Sequence, residues 1–422
     1  MPPLAKLTPL AVMLLTLGPP LLPASSAQEM AIDADYPGGN VQVIRREAHT
    51  FVVAPDLRDT RPGEWWFYWS FRLRGPSDLP VTIVFEQKNP IGVRGPTTSR
   101  DGGHTWTWLG DSAVRTDRVG AVPRWSFEAR IPPGATEVRY AFAPPYQQAN
   151  LQAWLDRHAG NPALRVEPLA TSRHGRKVPL VRIASPEPPA PGSPPRGLVL
   201  LTSRHHACEM MATYALEGLL EAALADDETG RLWRDRWEIV AVPFVDLDGV
   251  EAGDQGKNRN PHDHNRDYNP SPLYPEVQAL MKLGAAKSGR VVAAVDLHCP
   301  HIRGEWNDRV YLVGLDDPRV WAGQQAFGHV LERTRTGPLP FTTRDGLLPH
   351  GVAWNTSANT RDGRSFGQWA ASAFPSARLV TTIEIAYADA LGVEVTPVSA
   401  RALGHDLLRA ILEHLGPPAP QP

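Results

Sequence analysis

Four nearly unbroken apolar runs constrain this chain more than any other feature. Gly197–Ser203, Trp237–Val245, Val291–Leu297 and Arg378–Ile385 carry aliphatic residues at consecutive positions. A strand with one wet face alternates polar and apolar residues. A strand apolar on both sides is covered on both sides, as in a largely parallel sheet of an α/β protein. The intervening segments fit that reading. Between Glu209 and Ala225, Ala212, Leu216, Leu219 and Ala223 recur at helical spacing and mark one buried face. Tyr274–Lys287 is expected as a second helix, and Gln147–His158 as an earlier one, followed by strands Leu164–Leu169 and Val178–Ile183. The proline-rich stretch Ser185–Pro195 is expected as an exposed loop, because strands resume on both sides of it. The fold class expected is therefore α/β: a mixed, largely parallel sheet with helices on both faces, over residues 147–416, with a tail at 417–422.

Residues 28–146 read differently. Trp65–Phe71, Val81–Phe85, Thr105–Trp108, Trp125–Ile131 and Glu137–Phe142 are rich in aromatic and β-branched residues, with turn clusters such as Arg100-Asp-Gly-Gly103 between them. Short strands at regular spacing predict an all-β sandwich preceding the α/β part. Its tryptophans suit sandwich packing better than a carbohydrate platform. Further upstream, Lys6, the apolar stretch Leu7–Leu17 and small residues up to Ala27 resemble a secretory signal peptide cut after Ala27. Pro19, Pro20 and Pro23 interrupt the run before it reaches the ~20 residues of a membrane span. The expectation is a periplasmic or secreted protein with no membrane span after cleavage. A net charge of −2 gives no support for nucleic-acid binding. Two cysteines, Cys208 and Cys299, are too few for a disulfide scaffold and read as small buried thiols, with pairing as the alternative.

Ligands of parallel sheets collect at the carboxyl ends of strands. His206-Ala-Cys-Glu209 follows the first apolar run, His298 ends the third, and Glu384 lies near the end of the fourth. Two imidazoles and a carboxylate, with one position left for water, make a known catalytic zinc site. His205 is a rival to His206 as ligand, but it would stand four residues from Glu209. Between these strands lies the polar loop Gly256-Lys-Asn-Arg259-Asn-Pro-His-Asp-His-Asn265-Arg266-Asp-Tyr268.

In these four elements, in this order, the chain resembles the zinc metallocarboxypeptidases from about Gln147 to Leu415. The aromatic β-region in front resembles the layout of the cytosolic-carboxypeptidase branch. The resemblance implies one zinc ion held by His206, Glu209 and His298, with Glu384 as general base. It implies Arg259 as the cation facing the oxyanion, with Lys257 as a rival, and Asn265 and Arg266 as the grip on a terminal carboxylate. Arg364 aligns with a basic residue that selects acidic side chains in that branch. Asp296 is a candidate to orient a ligand imidazole, and Tyr311 and Tyr387 are candidates for the mobile tyrosine of digestive relatives. His264 and Cys299-Pro-His301 depart from the family pattern.

The chemistry implied is hydrolysis of C-terminal peptide bonds in peptides or proteins. Zinc-activated water would attack, a carboxylate would move the proton, and a guanidinium would meet the chain end. The alternatives are a zinc amidase acting on cell-wall peptides or acyl-amino acids, and a peptide- or glycan-binding protein with a lapsed site. A carboxylate at position 384, inside an otherwise apolar strand, would be costly to bury without a function.

Overall fold

The computed structural model describes residue 1 and residues 29–76, 79–189, 191–192 and 195–416. The signal-peptide pattern, part of the proline-rich loop and the tail at 417–422 lie outside the described residues. The apolar runs assemble into one eight-stranded sheet. At its centre, Trp237–Val242, Gly197–Ser203, Val291–His298 and Leu379–Ile385 lie side by side and parallel. Antiparallel strands flank them, Lys177–Ile183 on one side and Val310–Val313 on the other. Gly197–Ser203 is buried at every position after the first, so both faces are covered, as its composition requires. The sheet is mixed, with helices against it, and its parallel centre ends where His298 and Glu384 emerge.

Helix Met210–Leu224 follows the first of these strands and is buried along almost its whole circumference. It packs on the last helix, Pro397–Leu415, so closely that a methyl group at Gly218 would meet the Arg401 carbonyl and one at Gly404 the Ala215 carbonyl. Helix Pro275–Lys287 opens on proline at its first position, where the ring costs no hydrogen bond. Helix Gln148–Arg157 is capped by reciprocal bonds between Gln147 and Asn150.

Two five-stranded sheets precede this part. Their inner faces meet in an aromatic core, with Phe127 of one sheet 5.6 Å from Tyr140 of the other, ring centre to ring centre. Here the sequence expectation needs one correction. Trp65–Phe71 is not a continuous strand, and pairing begins only at Ser70. The reason is a side chain. The Gln255 amide accepts from the Tyr68 N–H at 2.7 Å and donates to the Tyr68 carbonyl at 2.9 Å, replacing a neighbouring strand. The β-region is thus bonded directly to the loop that leads to the polar motif. Asp59 strengthens the join by accepting from the backbone N–H groups of Gln255 and Gly256 at 3.0 and 2.8 Å. No helix among the described residues is long and apolar enough to cross a membrane.

Candidate active site

The turn after Gly197–Ser203 is set by Arg204, whose φ of 58° is unusual for a residue with a side chain. Its buried guanidinium holds the strained turn by donating to the Ala207 carbonyl at 3.0 Å and the Tyr146 carbonyl at 2.9 Å. The turn delivers His206 and Glu209 to the floor of a cavity of about 500 Å³. His298 and Glu384 reach the same floor from the neighbouring strands.

The Glu209 carboxylate sits between two imidazoles, with Oε1 2.6 Å from His206 Nδ1 and Oε2 2.6 Å from His298 Nδ1. Each ring is held from behind by a second carboxylate. His206 Nε2 lies 3.2 Å from Asp263 and His298 Nε2 lies 2.7 Å from Asp296. Each ring thus turns Nδ1 towards the shared Glu209 carboxylate while a second acid fixes Nε2, and an acid on the far nitrogen is how metal-ligating histidines are oriented. Burial pushes Glu209 up, but the two histidines outweigh it and hold the carboxyl at about 2. Donor atoms of His206, Glu209 and His298 come close enough to share one ion. A second set, His205, Asp296 and His298, also meets that criterion. However, His205 and Asp296 are fully buried and outside the cavity, and His205 is spent on Asp296 at 2.9 Å and the Tyr268 hydroxyl at 2.7 Å. The trio on the cavity floor is the better fit for a metal that must also meet water.

Glu384 has one carboxylate oxygen, Oε2, buried with no hydrogen-bond partner. Burial raises its pKa to about 8, and nearby Glu209 adds to the effect while His298 and Lys257 oppose it. Such an orphaned oxygen at a cavity wall is a group kept for something not in the fold.

Arg266 lines the cavity too and is 6 % exposed. It donates from Nε to the Asn359 carbonyl at 2.8 Å, from Nη2 to Asn359 Oδ1 at 3.1 Å, and from Nη1 to the Asn265 carbonyl at 2.6 Å. Three of a guanidinium's five N–H groups are thereby used. No carboxylate among the described residues pairs with it. Asn265 is fixed by the Phe366 N–H donating to its Oδ1 at 2.8 Å, and its Nδ2 stands 3.2 Å from His298 Nε2.

Other expected residues stand elsewhere. Arg259, expected to face the oxyanion, lies outside the cavity lining. Asp246 and Asp254 bind its guanidinium, the latter at 2.8 Å, and Asp59 lies 3.9 Å away. Three acids drew this cation into a structural cluster, and Lys257, two residues earlier, lines the cavity in its place. Burial and then Arg266 pull the Lys257 pKa down. Arg364 is also outside the cavity. It is exposed and donates to the Gln368 carbonyl at 3.0 Å. No tyrosine lines the cavity among the described residues; Tyr387 is buried, and Tyr311 is buried as the cross-strand partner of Glu384, its hydroxyl accepting from the indole N–H of the cavity-lining Trp354 at 3.2 Å. His264 is packed on Tyr274 and bonded to Glu276 at 2.9 Å, which explains its presence without a role in the site. Cys208 and Cys299 are both free and buried.

The sequence reading missed two residues. Asp263 links the parts of the site, holding His206 while accepting from the Asn265 N–H at 2.8 Å and the Asn258 N–H at 3.1 Å. Its position two residues before Asn265 is a capping signal that sequence can carry. Trp66 of the β-region forms part of the cavity wall, its ring edge-on to His301 at 5.4 Å and its indole N–H donating to Cys208 at 3.2 Å. Nothing in an aromatic run marks which ring faces a neighbour.

No family model matches the chain. Among curated proteins, it is 20 % identical over 292 residues to cytosolic carboxypeptidase 6 of Caenorhabditis elegans, covering 64 % of this chain and 62 % of that protein. It is 23 % identical over 261 residues to mouse cytosolic carboxypeptidase 3, covering 57 % of this chain and 26 % of that protein. The chain thus spans from a quarter to three fifths of the length of these relatives. Among solved structures, a metallo-carboxypeptidase from Burkholderia cenocepacia superposes with a TM-score of 0.73 at 21 % identity, over 91 % of this chain and 98 % of that one. A metallo-carboxypeptidase from Pseudomonas aeruginosa, solved with (2-guanidinoethylmercapto)succinic acid, gives 0.70 at 21 %, over 92 % and 100 %.

Proposed function

We propose that this chain, which has the fold of the metallocarboxypeptidases and the layout of the cytosolic carboxypeptidases, is a zinc-dependent carboxypeptidase. The observation that carries this reading is Arg266: a buried guanidinium without an acidic partner among the described residues, in the same cavity as two histidines and a glutamate that converge. A buried charge left unpaired is expensive, so the fold keeps this one for an anion that arrives from outside. A free C-terminal carboxylate has the planar two-oxygen geometry that suits it.

His206, Glu209 and His298 would hold the zinc, with Asp263 and Asp296 fixing the rings. When bound, zinc brings the pKa of a water towards ~7 and polarises a carbonyl. The chain's residues supply the rest. Arg266 fixes the end of the substrate, which places its last peptide bond over the cavity floor. Glu384 takes a proton from the attacking water and delivers it to the departing amine. Lys257, rather than Arg259, offers the cation that meets negative charge developing on the carbonyl oxygen. In this reading residues 28–146 form a sandwich domain that walls the cleft, and residues 147–416 the catalytic domain. Export is part of the proposal, supported by the basic, apolar and small-residue pattern of residues 1–27.

The test compares peptides with free and amidated C-termini, with and without a chelator. Release of single residues from the free peptides alone, lost on chelation and regained with zinc, is the expected result. Equal cleavage of amidated peptides would overturn it.

A further inference from the structure

We infer that the subsite for the substrate's last residue takes an uncharged side chain, and that Thr382 and Gln368 set this preference. The inference rests on the carboxypeptidase reading above and names its substrate class: peptides ending in neutral residues, in preference to Glu, Asp, Lys or Arg.

The side chain and the carboxylate of a terminal residue share one Cα. A carboxylate held at Asn265 and Arg266 therefore puts that side chain against whatever surrounds those two. The structure shows what does. Arg266 is bonded to Asn359 and Asn265 to the backbone of Phe366, so the segment from Asn359 to Gln368 forms the adjoining wall. Its cavity-lining members are Asn359, Thr360, Ser365 and Gln368, all neutral. Thr382 completes the wall from the strand, two residues before Glu384 and therefore on the same face of the sheet. A methyl group at Gly367 would lie 3.4 Å from the Thr382 hydroxyl and 3.6 Å from the Leu315 side chain, so helix and strand meet at this point. Gln368 is held in place by the Ser365 N–H donating to its Oε1 at 3.0 Å, and its Nε2 donates to Thr360 at 3.3 Å.

Two basic residues fall within this segment and neither lines the cavity: Arg361 is exposed, and Arg364 is turned away. Arg364 is exposed, with its guanidinium on the Gln368 carbonyl and the Ser372 hydroxyl, behind the wall. An acidic side chain entering here would meet no cation beyond those assigned to the carboxylate and the reaction, and would approach Glu384. A basic side chain would find no carboxylate in the wall. Glu305 and Asp316 line the cavity elsewhere and are exposed, Asp316 standing 3.7 Å from His350 with its side chain mostly in solvent. Either charge would lose water without gaining a partner, whereas a neutral side chain would not.

The experiment uses the zinc-loaded full chain and peptides identical except for a last residue of Gln, Leu, Glu or Lys. We expect kcat/KM at least tenfold higher for the neutral ends. Equal or faster release of Glu or Lys overturns the inference while leaving the carboxypeptidase reading intact. Binding of the same peptides to the Glu384→Gln protein, by calorimetry, covers the case of no turnover. Tighter binding of the Gln-ended peptide than the Glu-ended one supports the subsite even if the hydrolytic reading fails, and the reverse order refutes it. Gln368→Lys and Thr382→Lys should each shift the Glu-to-Gln ratio at least tenfold towards Glu. If neither moves it in folded, zinc-binding protein, the assignment of these residues is wrong.

Discussion

Glu384 is the direct cross-strand partner of His298 on adjacent parallel strands, so the two side chains leave the sheet on the same side. This register puts a carboxylate with an unpartnered oxygen beside a candidate metal ligand without any help from a loop. Glu384→Gln preserves shape and removes the proposed base. Turnover should fall by about a hundredfold or more, while metal analysis still finds one zinc per chain. Retained turnover in that variant would refute the assignment of Glu384 as base.

The same burial has a thermodynamic consequence for the metal-free protein. A carboxyl raised from 4.5 to about 8 on folding holds its proton more tightly in the fold than in the unfolded chain. Its contribution to stability is therefore fully present below pH 4.5 and is lost as the pH rises through 8. The amide of Glu384→Gln cannot ionise. The difference in melting temperature, variant minus parent, should grow in favour of the variant between those two pH values and then level off. A difference independent of pH would show that the carboxyl is not perturbed.

Two basic residues of one loop should behave in opposite ways. Lys257→Met should cut kcat/KM by about a hundredfold, on the scale of losing one group that stabilises an oxyanion, with little change in melting temperature. Arg259→Met should leave Asp246 buried without its cation and Asp254 with Arg58 alone, costing about 3–5 kcal/mol. Denaturant unfolding and steady-state kinetics on both variants separate the roles. A stable, inactive Arg259 variant would reverse them.

Asp263 braces the proposed ligand His206 from behind, so its loss should appear in metal affinity before anything else. Asp263→Ala should release zinc to a competing chelator at about 10–100-fold lower chelator concentration. Unchanged affinity would mean that the 3.2 Å contact to His206 contributes nothing to the site.

The parallel centre of the sheet was legible because both-face burial leaves a composition that few other structures share. Helix Met210–Leu224 was legible because its apolar residues recur at helical spacing. The strand-end positions of His206, His298 and Glu384 followed from those elements. What escaped was decided by partners distant in sequence. Trp65–Trp69 has the composition of a strand but pairs with a glutamine side chain nearly two hundred positions away. Arg259 and Lys257 are both cations in one polar loop, and only the acids at 246, 254 and 59 determine which of them turns inward. Trp66 joins the cavity because two parts of the chain meet there, a fact no local pattern records.

The clamp that Asp59 places on the backbone of Gln255 and Gly256 ties the two halves of this molecule together. The peptide segment bearing Lys257 begins at that clamp, and the wall beside it includes a tryptophan from the opposite half. A fragment beginning at the first helix would keep His206, Glu209 and His298 yet lose the anchor and one side of the cleft. Truncation should therefore yield a protein that still takes up metal but handles substrate poorly, because the leading sheets frame the cleft.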